Sequence, residues 1–447
     1  MTATAGTIIE TIGAPLSAST VDQLSEAAAD TAFLAARRRE AFAAFERAPM
    51  PTRKDEHWRF TKLRGVELGE LPTVAGASDV ELARERVSTS LTHATDVAGE
   101  LLHVNGVTPD EFFTRSSELP EGVVFTTLPR AAAEHAELFE AHFGTVAPIG
   151  DGRDEKFVDL NTASLAGGVF LYVPRNVRVE LPFRADVVMT RGGAVNWRAL
   201  IVLEEGAEAT FVEEFLSTDA DYAGLSNAVV ELVAGANSRL HYVTAQDYAV
   251  PVRHFATHRV HAHRDAQVDW SAVGLGASMG KSRMEAHLVG PGSNVKLTGA
   301  YFLTGTQQMD YDTYQLHAAP NAYSDLAFKG VLDEKAHSVW RGMIAVAPGA
   351  QGTDAFQANR NLILTSKAHA DSIPGLQIEA NDVRCTHAAT ITKVDPEQLF
   401  YLQARGITRD EAIKEIVRGF FTDVLDRISV EQVREQVKAA IWDRLDA

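Results

Sequence analysis

Residues 205–215 read Glu-Gly-Ala-Glu-Ala-Thr-Phe-Val-Glu-Glu-Phe: a turn of small residues, Glu205-Gly206-Ala207, then an alternating run from Ala209 to Phe215. The scheme returns in Ala234-Gly235-Ala236 ahead of Arg239-Leu-His-Tyr-Val243, and in Arg264-Asp265-Ala266 ahead of Gln267-Val-Asp-Trp-Ser271. Further triplets stand at Pro291-Gly292-Ser293, Pro320-Asn321-Ala322, Glu334-Lys335-Ala336 and Pro348-Gly349-Ala350. Their centres are 29, 30, 27, 29, 14 and 14 residues apart, close to 28 or half of it. Alternation marks strands, and Gly, Asn and Asp punctuate them. A recurring unit of this length, without helical crossovers, predicts a solenoid of parallel strands over roughly 157–391. The repeat is irregular, so an antiparallel sandwich stays open as the alternative.

On the N-terminal side, residues 1–150 read as a helical or mixed region. A capping box at Thr20-Val-Asp-Gln23 and an Ala-rich run with Leu24, Phe33, Leu34, Phe42 and Phe45 predict one helix over Val21–Arg47. Pro49 and Pro51 end it. The segment Pro51–Leu63, PTRKDEHWRFTKL, reads as an amphipathic connector anchored by Trp58 and Phe60. Strands are expected around Leu101–Val104 and Val123–Leu128, and a helix around Arg130–Phe143.

The strand-rich core, taken as 151–394, gives way to a helical region over 395–447. Asp395 suits an N-cap, Pro396 a first helical position and Gly406 the helix end. Thr408-Arg-Asp-Glu411 is a capping box ahead of Ile413, Ile416, Val417, Phe420, Phe421, Val424, Leu425 and Ile428 at helical spacing. Ser429-Val-Glu-Gln432 precedes a second such run, Val433, Val437, Ala440, Ile441 and Leu445. This apolar stripe serves either to cover the end of the solenoid or to dock a partner.

Among 447 residues, 60 acidic side chains against 42 basic ones give a net charge of −18. That argues against non-specific nucleic-acid binding and against an anionic membrane surface. No Lys or Arg precedes Arg37 and no apolar run reaches a membrane span, so a cytoplasmic protein without a signal peptide is expected. A single cysteine, Cys385, excludes an intramolecular disulfide and a self-contained Cys-ligated cluster or zinc site.

No Walker A run, dinucleotide fingerprint or nucleophile elbow occurs. His254, His258, His261 and His263 cluster with Arg253, Arg259 and Arg264. At strand spacing His261 and His263 share a face, which suits a metal pair or a solvated polar face. Cys385 and His387 likewise share a strand face, a soft ligand beside a borderline one. Two ligands are too few for a closed site, so a cluster held here would draw on a second chain. The competing reading makes Cys385 a small buried hydrophobe.

The stretch around this pair resembles the C-terminal signature of the SufB/SufD family of iron–sulfur cluster assembly scaffolds. The matching residues are Cys385, His387, Ala389, Thr390, Asp395, Leu399 to Leu402 and Arg405 to Ile407. Pro51-Thr52, Glu56, Trp58 and Phe60-Thr61 resemble a segment near the start of the SufD branch. Lys329-Gly-Val-Leu332, Trp340-Arg-Gly342, Thr353-Asp-Ala-Phe-Gln357 and Asn359-Arg-Asn-Leu362 resemble further family elements. Ala370 stands where SufB members carry a cysteine, which favours the SufD branch. Ala388 matches neither the Glu of SufB nor the Gly of SufD.

The resemblance implies a mainly β fold, a right-handed parallel β-helix between helical N- and C-terminal regions. It implies a non-catalytic scaffold subunit that pairs with a SufB-like chain and binds a SufC-like ATPase. The ATPase would dock on the C-terminal stripe of Ile413, Val417, Phe420, Phe421 and Val424. Sulfur would come indirectly from a cysteine desulfurase. Cys385 and His387, with His387 as the metal ligand, would meet a transient, shared iron–sulfur cluster at the partner interface. Reduced flavin in the complex and a homodimer are further implied options. The alternatives are a SufB-like cluster-bearing subunit, a β-helix carbohydrate-active enzyme, or a purely structural solenoid.

Overall fold

The computed structural model describes residues 16–68, 76–93, 96–108, 113–115, 119–152, 155–190 and 193–446. The first fifteen residues of the expected N-terminal region lie outside the described residues. The early strands are β1 (Gly99–Val104), β2 (Phe113–Arg115), β3 (Val124–Thr127), β4 (Val169–Val173), β5 (Phe183–Met189) and β6 (Gly193–Leu203). Next come β7 (Glu208–Ser217), β8 (Gly224–Ala234), β9 (Arg239–Asp247), β10 (Val252–Ala262), β11 (Gln267–Gly274), β12 (Met279–Leu288) and β13 (Asn294–Leu303). The last are β14 (Gln308–His317), β15 (Tyr323–Leu332), β16 (His337–Val346), β17 (Thr353–Ile363), β18 (His369–Ile378) and β19 (Val383–Lys393).

From β4 onward the chain alternates between two sheets. The odd-numbered strands run in the order β19-β17-β15-β13-β11-β9-β7-β5-β1-β2, the even-numbered ones β18-β16-β14-β12-β10-β8-β6-β4-β3. Neighbours in each stack are parallel and two strands apart in sequence, so each pair of strands is one coil of a β-solenoid. Phe211 pairs with Tyr242, Tyr242 with Trp270, and Trp270 with Leu297, offsets of 31, 28 and 27 residues. The antiparallel sandwich is thereby excluded. The interior is a continuous apolar column that includes Trp197, Phe211, Tyr242, Trp270, Leu297 and Trp340.

The turn triplets mark the corners. Gly206, Asp265, Gly292, Asn321 and Glu334 have positive φ; at the two remaining corners that role falls to Asn237 and Gly352. Those at the even-to-odd corner stack from coil to coil, while Glu334 turns the odd-to-even corner beside the Gly305 turn. A Cβ on Gly292 would come within 2.2 Å of Asp265 Oδ1, in a conformation (φ +71°) that already disfavours other residues.

Nine helices flank the coils among the described residues: α1 (Ala18–Ala27), α2 (Ala32–Arg47), α3 (Ala77–Ser88), α4 (Leu128–Glu134), α5 (Ala136–His142), α6 (Glu155–Ala163), α7 (Pro396–Ala404), α8 (Arg409–Leu425) and α9 (Glu431–Asp446). The single helix expected over Val21–Arg47 is broken. Ala29 takes a left-handed conformation, Thr31 caps α2, and Asp30 turns inward to pair with buried Arg38 at 2.5 Å. The first cap is Ser17, with Thr20 as its third-position partner. The helix expected over Arg130–Phe143 is likewise two, split at His135. Residues 155–163 form α6, where the strand-rich composition placed the first coil; the solenoid starts at β4.

Trp58 anchors the 51–63 connector as expected, stacked 5.0 Å from Phe157; Phe60 is only half-buried. The connector lies along the outer face of the even sheet. Glu56 pairs with Arg341 at 2.9 Å, His57 Nδ1 lies 2.7 Å from Asp312, and Lys281 donates to the His57 carbonyl at 2.7 Å. No helix among the described residues is long and apolar enough to cross a membrane.

Candidate functional site at the end of the solenoid

At one end the coils are closed by antiparallel additions, β2 on β1 and β3 on β4. At the other end β18 and β19 terminate their sheets. No described strand pairs beyond them, and Leu376, Ile378 and Ile391 remain exposed there. An unpaired edge with apolar side chains is a template for another chain.

Cys385 and His387 lie on this last strand. Their partners on β17 are Ala355 and Gln357, both fully buried. Gln357 spans the interior, its Nε2 donating to the carbonyls of Gly342 at 3.3 Å and Gly375 at 3.1 Å. Cys385 and His387 therefore continue inward-facing rows, left uncovered because no further coil follows. Cys385 is half-buried beside Ile344, Val346, Ala350 and Ala355; His387 is exposed. The alternation expected of residues 383–387 is observed, and it brings thiol and imidazole to the mouth of the solenoid.

Burial pushes the Cys385 thiol above its usual range, and the negative charge of Asp354 adds to this. At neutral pH it is a protonated thiol, not an activated nucleophile. A metal ion arriving at the site would displace that proton. Cysteine and histidine then supply two ligands of unequal softness, fewer than the four that the common clusters take.

The stripe expected to dock an ATPase is differently placed. Val417 and Phe421 are 0 % exposed and Val424 2 %, packed in one cluster with Val243, Val273, Phe302, Val331 and Leu362 of the odd sheet. Ile413 and Phe420 are half-buried against the same cluster. As a correction, these side chains cover the flank of the solenoid and neither its end nor a free docking surface. The capping box at Thr408 forms as expected, with Glu411 reaching back to the Thr408 amide at 3.1 Å. Lys329 donates to the Phe420 carbonyl at 2.6 Å, and Arg427 and Arg444 pair with Asp325 and Asp247 at 3.0 and 2.6 Å. The exposed apolar residues of the C-terminal region are instead on α7: Phe400, 73 % exposed, and Tyr401, 57 %.

Of His261 and His263, read as a metal pair or a solvated face, only His261 lies on β10, which ends at Ala262. His261 stacks on His287 with ring centroids 5.3 Å apart. His254 and His258 point inward, where burial pushes both down to about 3, so they are neutral. One group that sequence reading missed does assemble among the described residues, His337, His369 and Asp371. His337 and His369 are direct neighbours on β16 and β18, a relation set by coil register and not by local sequence.

Residues 187–420 match the model for the SUF system FeS cluster assembly SufBD core domain, and residues 22–185 the SufBD protein N-terminal region. The iron–sulfur cluster assembly protein SufD of Bacillus subtilis (strain 168) is 30 % identical over 96 % of this chain and 99 % of its own length. A SufBD family protein of Staphylococcus epidermidis (strain ATCC 12228) is 29 % identical over 72 % of this chain and 70 % of its own. One from Staphylococcus aureus (strain USA300) gives the same values, 29 %, 72 % and 70 %. Two family models together spanning both the helical start and the solenoid, and a relative matched almost end to end, lead to one conclusion: this chain belongs to the SufBD family of iron–sulfur cluster assembly proteins.

Proposed function

We propose that this chain is a non-catalytic, cytoplasmic scaffold subunit of the SufD type. It joins a SufB-like chain through the β18/β19 end of the solenoid. There His387, with Cys385 beside it, contributes to a transient cluster shared between the two chains. The cluster is cargo, and ligation by one imidazole and one unactivated thiol suits a site that must let it go. A SufC-like ATPase docks on the C-terminal helical region, with the exposed Phe400 and Tyr401 of α7 replacing the buried face of α8 as the contact. Sulfur arrives through the partner from a cysteine desulfurase, and reduced flavin enters only as an electron donor to the complex.

The observation that carries this reading is the row position of Cys385 and His387: the rows are sealed one coil earlier and open in the last. The test is co-expression with SufB- and SufC-like chains from the same genome, then anaerobic reconstitution with iron and sulfide. Wild type should hold the three-chain complex and develop cluster absorbance. Charged substitutions at Ile378 and Ile391 should release the SufB-like chain while the ATPase stays bound. Retention of that chain by the doubly charged variant would overturn the proposed interface, and a homodimer in place of the complex would overturn the partner assignment.

A further inference from the structure

We infer that His337, His369 and Asp371 form a binding site for a divalent first-row transition metal ion on the outer face of the last two coils. His337 begins β16 and His369 begins β18, and the two are direct ladder partners. Their rings lie 5.2 Å apart, centroid to centroid. Asp371 stands two residues along β18, on the same face, while Ala370 between them is buried. His337 Nε2 is 2.9 Å from one Asp371 oxygen and His369 Nε2 is 3.3 Å from the other. One ligand atom from each residue lies within 4.8 Å of the other two.

Ligand atoms around an ion with bonds of about 2.1 Å sit roughly 3 to 3.5 Å apart in tetrahedral or octahedral geometry. The two imidazole–carboxylate separations, each to a different oxygen of Asp371, are close to that range. In the metal-free form His337 Nε2–H donates to the Asp371 carboxylate, and His369 Nε2 lies close to its other oxygen. An ion bound through Nε2 leaves each neutral ring with its one proton on Nδ1, so for His337 binding is a change of tautomer with no net loss of a proton. Two imidazoles and a carboxylate suit zinc or iron(II) over calcium or magnesium, and zinc should bind more tightly than iron(II). His369 is 66 % exposed on a terminal strand, so further coordination positions face outward. The site uses neither Cys385 nor His387, and does not depend on the role proposed for them.

The experiment is calorimetric titration of the tag-free full chain with Zn²⁺ and, anaerobically, with Fe²⁺. It compares wild type, His369→Ala, Asp371→Asn, and a Cys385→Ser/His387→Ala double variant. The expected result is one saturable site in wild type and in the double variant, weakened at least about tenfold by either His369→Ala or Asp371→Asn with an unchanged melting temperature. No saturable binding in wild type, or equal affinity in the His369 and Asp371 variants, would overturn the assignment. The three side chains would then be a hydrogen-bonded group only.

Discussion

Phe421→Ala is expected to release α8 and α9 from the flank of the solenoid while leaving the strands intact. Phe421 is fully buried in a cluster that joins Val417, Val424 and Leu425 of α8 to Phe302, Val331 and Leu362 of the odd sheet. Truncating such a side chain costs about 3–5 kcal/mol, the transfer term plus the cavity left behind. What remains to hold the helices includes polar ties such as Arg427–Asp325 and Arg444–Asp247, both partly exposed. Pairs of that kind contribute about 1 kcal/mol or less each, so they do not offset the loss. The damage should stay local, because neighbouring coils support one another along the solenoid and opening energies differ between parts of a fold. Hydrogen exchange resolved by peptide should therefore show faster exchange over 409–446 and unchanged protection over 294–363. Phe400→Ala is the control. That ring is 73 % exposed, so its loss should change stability by no more than about 0.5 kcal/mol while weakening ATPase binding. Unchanged protection of α8 in Phe421→Ala, or deprotection of α8 in Phe400→Ala, would refute this account of which face packs and which is free.

Three further outcomes are expected. His387→Ala should lower the cluster yield of the reconstituted complex with a change in stability of about 1 kcal/mol or less, since the ring is exposed, and Cys385→Ser should be milder if the partner supplies the essential thiolate; absorbance read beside thermal melting checks both. Glu213 is fully buried, and burial pushes its carboxyl up to about 7 against the opposing hydrogen bonds from Tyr242 and Trp197. A folded value above the unfolded one favours the neutral form, so its contribution is complete below about pH 4.5 and is lost as pH rises through 7; from pH 5 to 8 wild type should lose up to roughly 3 kcal/mol relative to Glu213→Gln in denaturant titrations. Gly292→Ala should destabilise the corner by about 1–3 kcal/mol, because the new Cβ meets Asp265 Oδ1 in a left-handed conformation; an unchanged unfolding midpoint would count against the stacked-corner account.

What was legible in the sequence is what a residue's own neighbours determine. Corners showed because left-handed backbone selects Gly, Asn and Asp, and strands showed because one face is buried. The capping box at Thr408 and the Asp395-Pro396 start of α7 were legible for the same reason, being closed within four residues. The breaks at Ala29 and His135 were not, since the surrounding composition favours helix and tertiary contacts such as Arg38–Asp30 decide the matter. The face presented by α8 was legible, but its partner was not: an apolar stripe reports that something covers it, and here the cover is the molecule's own odd sheet. The same limit explains the sites. Cys385 and His387 could be paired because they are two residues apart on one strand. His337 and His369 could not, because only coil register makes them neighbours, and coil offsets vary between 27 and 31 even within β7 to β13. In a solenoid, local sequence sets which way a side chain points and register sets what it meets. Functional groups built along the stacking direction, as this second one is, become visible only once the coils are aligned.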